Sequence, residues 1–242
     1  MSAAAERCGL IGNCLLSALP REERDRLLPH LQPVSFSLGD VIYESGAQLG
    51  YIYFPTTCIV SLINTMENGS TAAMGLAGND GVVGVALFLG GDTTPNQAIM
   101  QIAGDALRMN AKVLREEFAR GGALQRLLLR YTQALITQIS QTAVCNRLHC
   151  EEKRLCRWLL LSHDRVKTDE LAMTQELLSH MLGGRRESVT VAARRLQDAG
   201  LIRYNRGHIK ILNRVGLEGV ACECYRIVMQ EFDRLLGATG RA

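Results

Sequence analysis

Four consecutive side chains, Arg185, Arg186, Glu187 and Ser188, have the chemistry needed to recognise the edges of nucleic-acid bases. An arginine guanidinium can donate two hydrogen bonds to guanine O6 and N7, and a glutamate can accept one from cytosine N4. The four residues begin a predicted helix, where adjacent arginines oppose a helix dipole that favours acidic residues. Because this placement is electrostatically unfavourable for the helix, it favours a functional role for the two arginines over the alternative of a solvated, charged helix start.

The elements around these residues predict a helix-turn-helix. Thr174 is a suitable N-cap for a short helix, which Gly183-Gly184 ends. The segment 185–197 predicts a second helix, which Gly200 stops. In such a pair, the second helix places its first residues against base edges in the major groove. Its predicted inward-facing residues are Val189, Ala192, Ala193 and Leu196.

A hairpin wing is predicted after the second helix, because "LIRYN" and "HIKIL" form two short strand patterns around Arg206-Gly207. The hydroxyl, guanidinium and imidazole groups of Thr174, Arg194, Arg206 and His208 lie where contacts with DNA phosphates are common. Arg195 either contacts a phosphate as well or faces the protein. The candidate DNA-binding residues are Thr174, Gln175, Arg185, Arg186, Glu187, Ser188, Thr190, Val191, Arg194, Arg206 and His208.

Charge is divided unevenly along the chain, whose formal net charge is +3. From Lys153 to Arg214, 13 lysines and arginines outnumber 6 aspartates and glutamates. From Leu27 to Leu107 there is no lysine or arginine, against 6 acidic residues. A basic C-terminal part joined to an acidic part predicts a polyanionic partner for one part only. We therefore expect double-stranded DNA as the partner of the C-terminal part.

The composition excludes several other classes of protein. The chain is 47% hydrophobic and 21% charged, which is ordinary for a globular protein. We expect no membrane partner, because no apolar run reaches the length of about 18 residues that a spanning helix needs. The first residues lack the pattern of a signal peptide, so we expect a cytoplasmic location. No Ser/His/Asp set, Cys/His set or standard phosphate loop predicts an enzyme.

Between Val34 and about Met109, short runs of β-branched and aromatic residues alternate with Gly, Asn and Asp, which predicts an all-β barrel or roll. Inside it, "FLGGDTTPNQAIMQIAG" (88–104) has the form of a phosphate-binding turn. However, residues 27–107 contain no lysine or arginine, and burying a phosphate without a cation costs several kcal/mol. We expect this turn to be a structural corner or a pocket for an uncharged molecule.

A long helix is predicted after the β module, because residues 123–161 contain neither Gly nor Pro. One apolar stripe along it is typical of a dimerisation helix, although the same stripe could pack on the chain's own domain. The candidate dimer residues are Leu124, Leu128, Tyr131, Leu135 and Thr142.

The eight cysteines do not form a standard metal-binding pattern. In a cytoplasmic chain they are expected to be buried thiols rather than a disulfide framework. Cys145 and Cys156 would lie three helical turns apart, too far to share one ion. We predict no metal site, with redox sensing or an iron–sulfur cluster as the open alternative. A haem would require a histidine in the β module, which has none between His30 and His149.

At this point the sequence resembles the Crp–Fnr family of bacterial transcription regulators over nearly its whole length. "TQELLSHMLGGRRESVTVAARRLQDAGLI" with "RGHIKILNRVGLE" resembles the family's winged helix-turn-helix, and "FSLGDVIYESG" with "GNDGVVGVALF" resembles its cyclic-nucleotide-binding-type β-roll. The resemblance implies an α+β fold with four parts: an N-terminal helical segment (1–30), a sensor β-roll (31–115), a dimerisation helix (116–150) and a winged helix-turn-helix domain with a C-terminal helix (151–242).

The resemblance also implies roles for individual residues. It implies a homodimer that binds a palindromic operator, recruits or blocks RNA polymerase, and contacts bases through Arg186 and Glu187. A third base-reading position falls on Val191 or Thr190. Val191 cannot form a hydrogen bond but can contact a thymine methyl, so we expect a half-site unlike that of the best-known members.

In the sensor, nucleotide-binding members of the family use an acidic residue for the ribose and an arginine for the phosphate. These positions fall here near Val85 and at Pro95-Asn96. The candidate effector pocket comprises Gly84, Val85, Pro95, Asn96, Gln97 and Ala98, with Arg126 and Arg130 of the long helix as the cations that could reach it. The family's oxygen sensor holds its cluster on closely spaced N-terminal cysteines, which Cys8 and Cys14 do not match.

These observations lead to one principal hypothesis, a dimeric DNA-binding regulator whose sensor has lost the chemistry for cyclic AMP. No cofactor is expected, although a cyclic nucleotide or an iron–sulfur cluster is not excluded. The alternatives are a regulator that senses redox state or a cluster through its cysteines, and an enzyme with a DNA-binding appendage.

Overall fold

A computed structural model describes residues 11–166, 168–184 and 186–237. The chain begins with two short helices, α1 (Cys14–Ser17) and α2 (Arg21–Leu27), and a single 3-10 turn, Leu28–His30. Asn13 caps α1 by accepting hydrogen bonds from the backbone of Leu15 and Leu16. Its amide also donates to Pro55 O and Gly81 O, so this buried cap fixes the N-terminal helices on the β-rich part.

Seven strands follow in two antiparallel sheets, which confirms the predicted β-roll. The strands are β1 (Gln32–Phe36), β2 (Val41–Tyr43), β3 (Tyr51–Pro55), β4 (Ile59–Thr65), β5 (Thr71–Ala77), β6 (Gln97–Ile102) and β7 (Gly104–Asn110). One sheet has the order β1-β7-β3 and the other the order β2-β6-β4-β5. A 3-10 turn, Val85–Leu87, lies between β5 and β6.

Three helices carry the chain from the sheets to the C-terminal part: α3 (Ala111–Ala119), α4 (Gly122–Leu148) and α5 (Glu151–His163). The helix predicted without interruption over 123–161 is therefore broken, because His149 and Cys150 are extended. Glu151 and Glu152 stabilise the start of α5, where the helix dipole favours acidic side chains. Residues 116–119 belong to α3, and Gly121 and Gly122 turn the chain with positive φ.

The C-terminal part combines three strands with four helices in the described residues. They are β8 (Glu170–Ala172), α6 (Gln175–Leu182), α7 (Arg186–Asp198), β9 (Ile202–Asn205), β10 (His208–Ile211), α8 (Arg214–Val220) and α9 (Glu223–Leu236). The strand order is β8-β10-β9. Helix α9 packs along α4, where the rings of Phe232 and Tyr131 meet edge to face at 6.3 Å. None of the described helices is long and apolar enough to cross a membrane.

A buried ion pair joins the β-roll to the C-terminal part. Arg165, which is 1% exposed, donates from Nε to Asp80 Oδ1 at 2.9 Å, and its Nη2 lies 2.7 Å from Asp80 Oδ2 in the same ion pair. Its Nη1 also donates to Leu161 O at 2.7 Å, and its guanidinium lies 5.3 Å from the Phe232 ring. A bidentate pair of this kind holds two charged groups in a fixed geometry.

We expect Asp80→Ala to lower the free energy of unfolding by about 3 to 5 kcal/mol, because it leaves the Arg165 guanidinium buried without its counter-charge. Urea unfolding followed by circular dichroism measures the change. The control is Asp25→Ala, which removes an exposed ion pair with Arg21 on one helix and is expected to change stability by less than about 1 kcal/mol. Equal effects of the two substitutions on the free energy of unfolding would contradict the structural importance of the ion pair between Asp80 and Arg165.

Candidate functional site

Helices α6 and α7 form the predicted helix-turn-helix, and local capping explains their bounds. Thr174 Oγ1 accepts a hydrogen bond from Leu177 N at 3.1 Å, which caps the start of α6. Gly183 ends α6 in the left-handed region, with φ of 59°. The four residues of α7 predicted to face inward are all buried: Val189, Ala192, Ala193 and Leu196. Their burial confirms which face of α7 is attached to the domain.

The opposite face of α7 is exposed and polar. Its exposed members are the predicted DNA-binding residues Arg186, Glu187, Ser188, Thr190, Val191 and Arg194. Thr190 Oγ1 donates to Arg186 O at 2.8 Å, so this hydroxyl keeps its acceptor lone pairs for a base or phosphate donor. Val191 is 50% exposed and offers a methyl surface. Arg185 lies outside the described residues, and only the backbone of Gln175, the first residue of α6, is described.

Arg195 is exposed and lies at the side of α7 that borders α5. Its guanidinium lies 3.7 Å from a carboxylate oxygen of Glu152 on α5. Arg194, by contrast, has only a long contact of 3.9 Å with Asp198 one turn later, and both side chains are exposed. Of these two exposed arginines, Arg195 therefore has its acidic partner on another helix, and Arg194 has its contact within α7.

The predicted wing is present, with a two-residue turn at Arg206-Gly207 between β9 and β10. Both turn residues have positive φ, 46° and 83°, as the tight hairpin turn requires. Arg206 and His208 line a groove on the wing together with Arg203, Asn205, Lys210 and Glu170. Glu170 is the only acidic group among these lining residues, and it lies 3.3 Å from His208.

The wing has two further cations that were not predicted from the sequence. Arg203 and Lys210 are exposed and lie directly opposite each other in the β9–β10 register. Like charges in that position are destabilising unless an anion compensates them. The signal in the sequence was the alternation of exposed residues along the two short strands.

The candidate effector pocket is a cavity of about 30 Å³ between the β-roll and α4. That volume holds about one water molecule, whereas ligand pockets in proteins usually measure about 300–1,000 Å³. Gly84, Val85 and Asn96 line it, and Leu135 of α4 closes one side. Asn96 Oδ1 accepts a hydrogen bond from Tyr43 OH at 3.0 Å, and burial raises the pKa of Tyr43 to about 12.

The other predicted pocket residues lie outside the lining. Pro95 O accepts a hydrogen bond from Ser45, Gln97 donates to Glu44, and Ala98 is buried within β6. Arg126 and Arg130 are exposed on α4. No cation is among the described residues that line the cavity.

The first residues of the glycine-rich turn use their backbone donors locally and not toward this cavity. The N–H groups of Leu87, Phe88, Leu89 and Gly91 all donate to carbonyls of residues 84–86. A phosphate-binding turn requires such N–H groups to be available to the ligand. The charge of Asp92 in the same turn is paired with Arg115 of α3.

The structure buries the predicted dimer stripe of α4 inside the chain. Leu124, Leu128, Tyr131, Leu135 and Thr142 are all buried. Tyr131 OH donates to Val82 O, and the neighbouring Gln138 bonds both backbone groups of Leu76. The stripe therefore packs on the β-roll and α9, which is the alternative that the sequence left open. A different face of α4 exposes Leu129, Ile136, Val144 and Leu148.

A group of potential metal ligands lies where α4 ends and α9 begins. The sulfurs of Cys145, Cys222 and Cys224 and a ring nitrogen of His149 all lie within 4.8 Å of one another. Sequence spacing does not predict this group, because its two halves are 77 residues apart. Local signals were the spacing of Cys145 and His149 by one helical turn and the Cys-x-Cys pair 222–224.

Six described cysteines are free thiols, as predicted: Cys58, Cys145, Cys150, Cys156, Cys222 and Cys224. Cys14 is the exception, because it is disulfide-bonded. Burial raises the pKa of the Cys58 and Cys156 thiols to about 12, which makes both unreactive.

Comparison with known proteins agrees with this geometry. Two family models match in succession, a cyclic nucleotide-binding domain over residues 33–120 and a Crp-like helix-turn-helix domain over residues 153–220. No curated protein sequence gives a significant match.

Similar solved structures show the same fold. FixK2 from Bradyrhizobium japonicum is 18% identical with a TM-score of 0.67, covering 79% of this chain and 98% of that one. The c-di-GMP responsive global regulator CLP from Xanthomonas campestris is 18% identical with a TM-score of 0.64, covering 79% of this chain and 99% of that one. A CRP-family transcriptional regulator from Thermus thermophilus is 17% identical with a TM-score of 0.64, covering 78% of this chain and 96% of that one.

The two matched domains together span more than half of the chain, in the order in which the β-roll and the helix-turn-helix follow each other in the structure. Their combination identifies the chain as a member of the Crp–Fnr family of DNA-binding transcriptional regulators.

Proposed function

We propose that the protein is a homodimeric regulator that binds a palindromic operator in double-stranded DNA, in the cytoplasm of a bacterium. The observation that carries this proposal is the division of α7 into a buried apolar face and an exposed polar face that begins with Arg186, Glu187 and Ser188. These side chains have the donors and acceptors that read guanine and cytosine edges. Family membership supports recruitment or blocking of RNA polymerase as the mode of action.

The remaining candidate residues have positions that suit phosphate contacts. Thr174 begins α6, while Arg206 and His208 lie on the wing with the opposed pair Arg203 and Lys210. Glu170 lies opposite Lys210 on the other side of β10, and a phosphate would add a second anion beside the two opposed cations. We propose that the wing contributes binding strength and that α7 contributes sequence specificity, as phosphate and base contacts do in general.

The dimer face that we propose is the exposed stripe of α4 and not its buried one. Leu129, Ile136 and Val144 are spaced by seven and eight residues, so they follow one side of the helix. Ile136 is 58% exposed in the single chain. Apolar side chains aligned in this way are favourable only when a second helix covers them. Helix-turn-helix dimers bind half-sites about one DNA turn apart, and we propose that two-fold pairing along α4 presents the two α7 helices in this way.

The sensor that we propose does not hold cyclic AMP in the usual manner of the family. The cavity is too small for a nucleotide, its described lining has no cation, and the N–H groups of Phe88, Leu89 and Gly91 in the turn are already bonded. Arg126 and Arg130 do not supply the missing charge from their exposed positions.

Arg186→Ala is expected to weaken binding to the specific operator by about 1–3 kcal/mol and to relax selectivity at one base pair, because one bidentate base contact is lost. Selection from random duplexes identifies the operator, and fluorescence anisotropy then measures affinity. The control is Arg21→Ala, on an exposed arginine of α2 far from the helix-turn-helix. Unchanged affinity and selectivity of Arg186→Ala would contradict the assignment of α7.

Ile136→Glu is expected to convert the dimer to a monomer, because two carboxylates would be brought together across an apolar contact. Light scattering after size-exclusion chromatography measures the mass. Met66→Glu is the control, since Met66 is an equally exposed apolar residue on the β4–β5 hairpin. A dimer that survives Ile136→Glu would exclude this face of α4.

Calorimetric titration with cyclic AMP and with cyclic GMP is expected to give no binding in the low micromolar range. The physical reason is the cost of burying a phosphate that no cation compensates. The same protein sample must bind its operator, which shows that it is folded and active. A saturable isotherm with either nucleotide would overturn the interpretation of the cavity.

A further inference from the structure

The group formed by Cys145, His149, Cys222 and Cys224 has the composition of a metal-binding site. We name it the Cys3His cluster. Three cysteines and one histidine are a common ligand set for structural zinc. Three of these residues are buried, and the side chain of His149 is only 13% exposed.

The distances within the Cys3His cluster fit one ion. Cys145 Sγ and Cys222 Sγ are 3.5 Å apart, and Cys224 Sγ lies 3.7 Å from His149 Nδ1. Tetrahedral coordination with a metal–sulfur distance of about 2.3 Å places two sulfurs about 3.8 Å apart. An iron–sulfur cluster distributes its protein ligands over two or more irons. That arrangement needs wider spacing than a set of ligand atoms all within 4.8 Å of one another.

A carboxylate lies beside the ring nitrogen of His149 that does not face the sulfurs, as is usual for metal-bound imidazoles. His149 Nδ1 faces the cluster, and His149 Nε2 lies 3.4 Å from a carboxylate oxygen of Glu223. A hydrogen on Nε2 that is donated to Glu223 leaves Nδ1 with its lone pair directed at the sulfurs. Glu223 therefore selects the tautomer in which His149 can be a ligand.

Charge in the surroundings provides an independent argument. Arg157 is 1% exposed, its Nη2 donates to Thr142 Oγ1 at 2.8 Å, and its buried Nε has no hydrogen-bond partner in the described structure. Within the described part of the chain, no carboxylate forms an ion pair with this guanidinium, whereas the three cysteines of the cluster act on it electrostatically. A divalent ion with three thiolates and a neutral imidazole has one net negative charge. That charge would compensate the buried cation of Arg157.

We propose that the Cys3His cluster binds one Zn²⁺ ion, or a divalent ion of the same coordination preference, through Cys145 Sγ, His149 Nδ1, Cys222 Sγ and Cys224 Sγ. The ion joins the last turn of α4 to the first residues of α9. It also explains why the helix is interrupted directly after Leu148, where His149 leaves the helical conformation with its ring toward the sulfurs. Helix α9 lies beyond residue 220, where the match to the helix-turn-helix domain ends.

A cobalt(II) titration of the full-length protein, purified under reductant and treated with a chelator, tests the proposal. We expect saturation at about one ion per chain, with the visible and near-ultraviolet absorption bands of tetrahedral thiolate coordination. Added Zn²⁺ is expected to abolish these bands by displacement. This measurement uses the unmodified protein, so it decides the question even where a variant does not fold.

Two variants test the ligand assignment. Cys222→Ser combined with Cys224→Ser is expected to abolish the cobalt bands, whereas Cys150→Ser, at an exposed thiol next to His149, is expected to retain them. Glu223→Gln is expected to keep the bands but to weaken metal affinity about 10- to 100-fold, as loss of an outer partner does. Zn²⁺ is expected to raise the melting temperature of wild type and of Cys150→Ser, but not that of the double variant.

Three results would overturn the proposal. The first is folded, reduced wild-type protein that shows no thiolate bands at saturating cobalt. The second is retention of the bands in the folded double variant. The third is purification of the protein with the iron, sulfide and absorption of an iron–sulfur cluster, which would exclude a single-ion site.

Discussion

The arrangement of the whole chain depends on arginines that are buried around α5 and must find partners in other parts of the molecule. Removing a guanidinium from water is unfavourable by several kcal/mol unless its charge and hydrogen bonds are compensated. Arg165 meets this requirement with Asp80 of the β-roll, and Arg157 meets part of it with Thr142 and the backbone of α4. Helix α5 leads into the helix-turn-helix, so these two arginines tie the DNA-binding part to the β-roll and to the long helix.

Because of these buried arginines, the β-roll, the long helix α4 and the DNA-binding part cannot change position independently of one another. Any rotation of the C-terminal part that separates Arg165 from Asp80 would expose a charged pair that is now desolvated, so the two parts have few intermediate positions. The packing of Phe232 of α9 against both Tyr131 and Arg165 adds a contact that involves the same elements. Gly78 leaves the space that Arg165 occupies, because a Cβ atom at position 78 would lie 2.7 Å from Arg165 Cβ. Only a glycine allows the arginine to approach Asp80 at this place.

Local patterns in the sequence predicted the helix-turn-helix best, because its determinants are close in the chain. The cap at Thr174, the stop at Gly183 and the inward face of α7 each depend on residues within two turns. The long helix was harder, since α4 has apolar residues on more than one face. Periodicity alone does not reveal that α9, a hundred residues later, covers Tyr131 and leaves Ile136 exposed. The pairing of Cys145 with Cys222 and of Asp80 with Arg165 is equally non-local, and no spacing rule connects such residues.

The turn over 88–104 shows how a fold can retain a ligand-binding shape without the corresponding chemistry. The N–H groups of Phe88, Leu89 and Gly91 donate to carbonyls of residues 85 and 86, and the carboxylate of Asp92 is paired with Arg115 of α3. What remains beneath the turn is a small, mostly apolar space with Leu135 of α4 on one side. A change in the contents of that space would act on α4 through side-chain packing rather than through charge. Because α4 carries the proposed dimer stripe along its length and the Cys3His cluster at its C-terminal end, displacement of this helix is the physical route by which the β-roll can influence the position of α7.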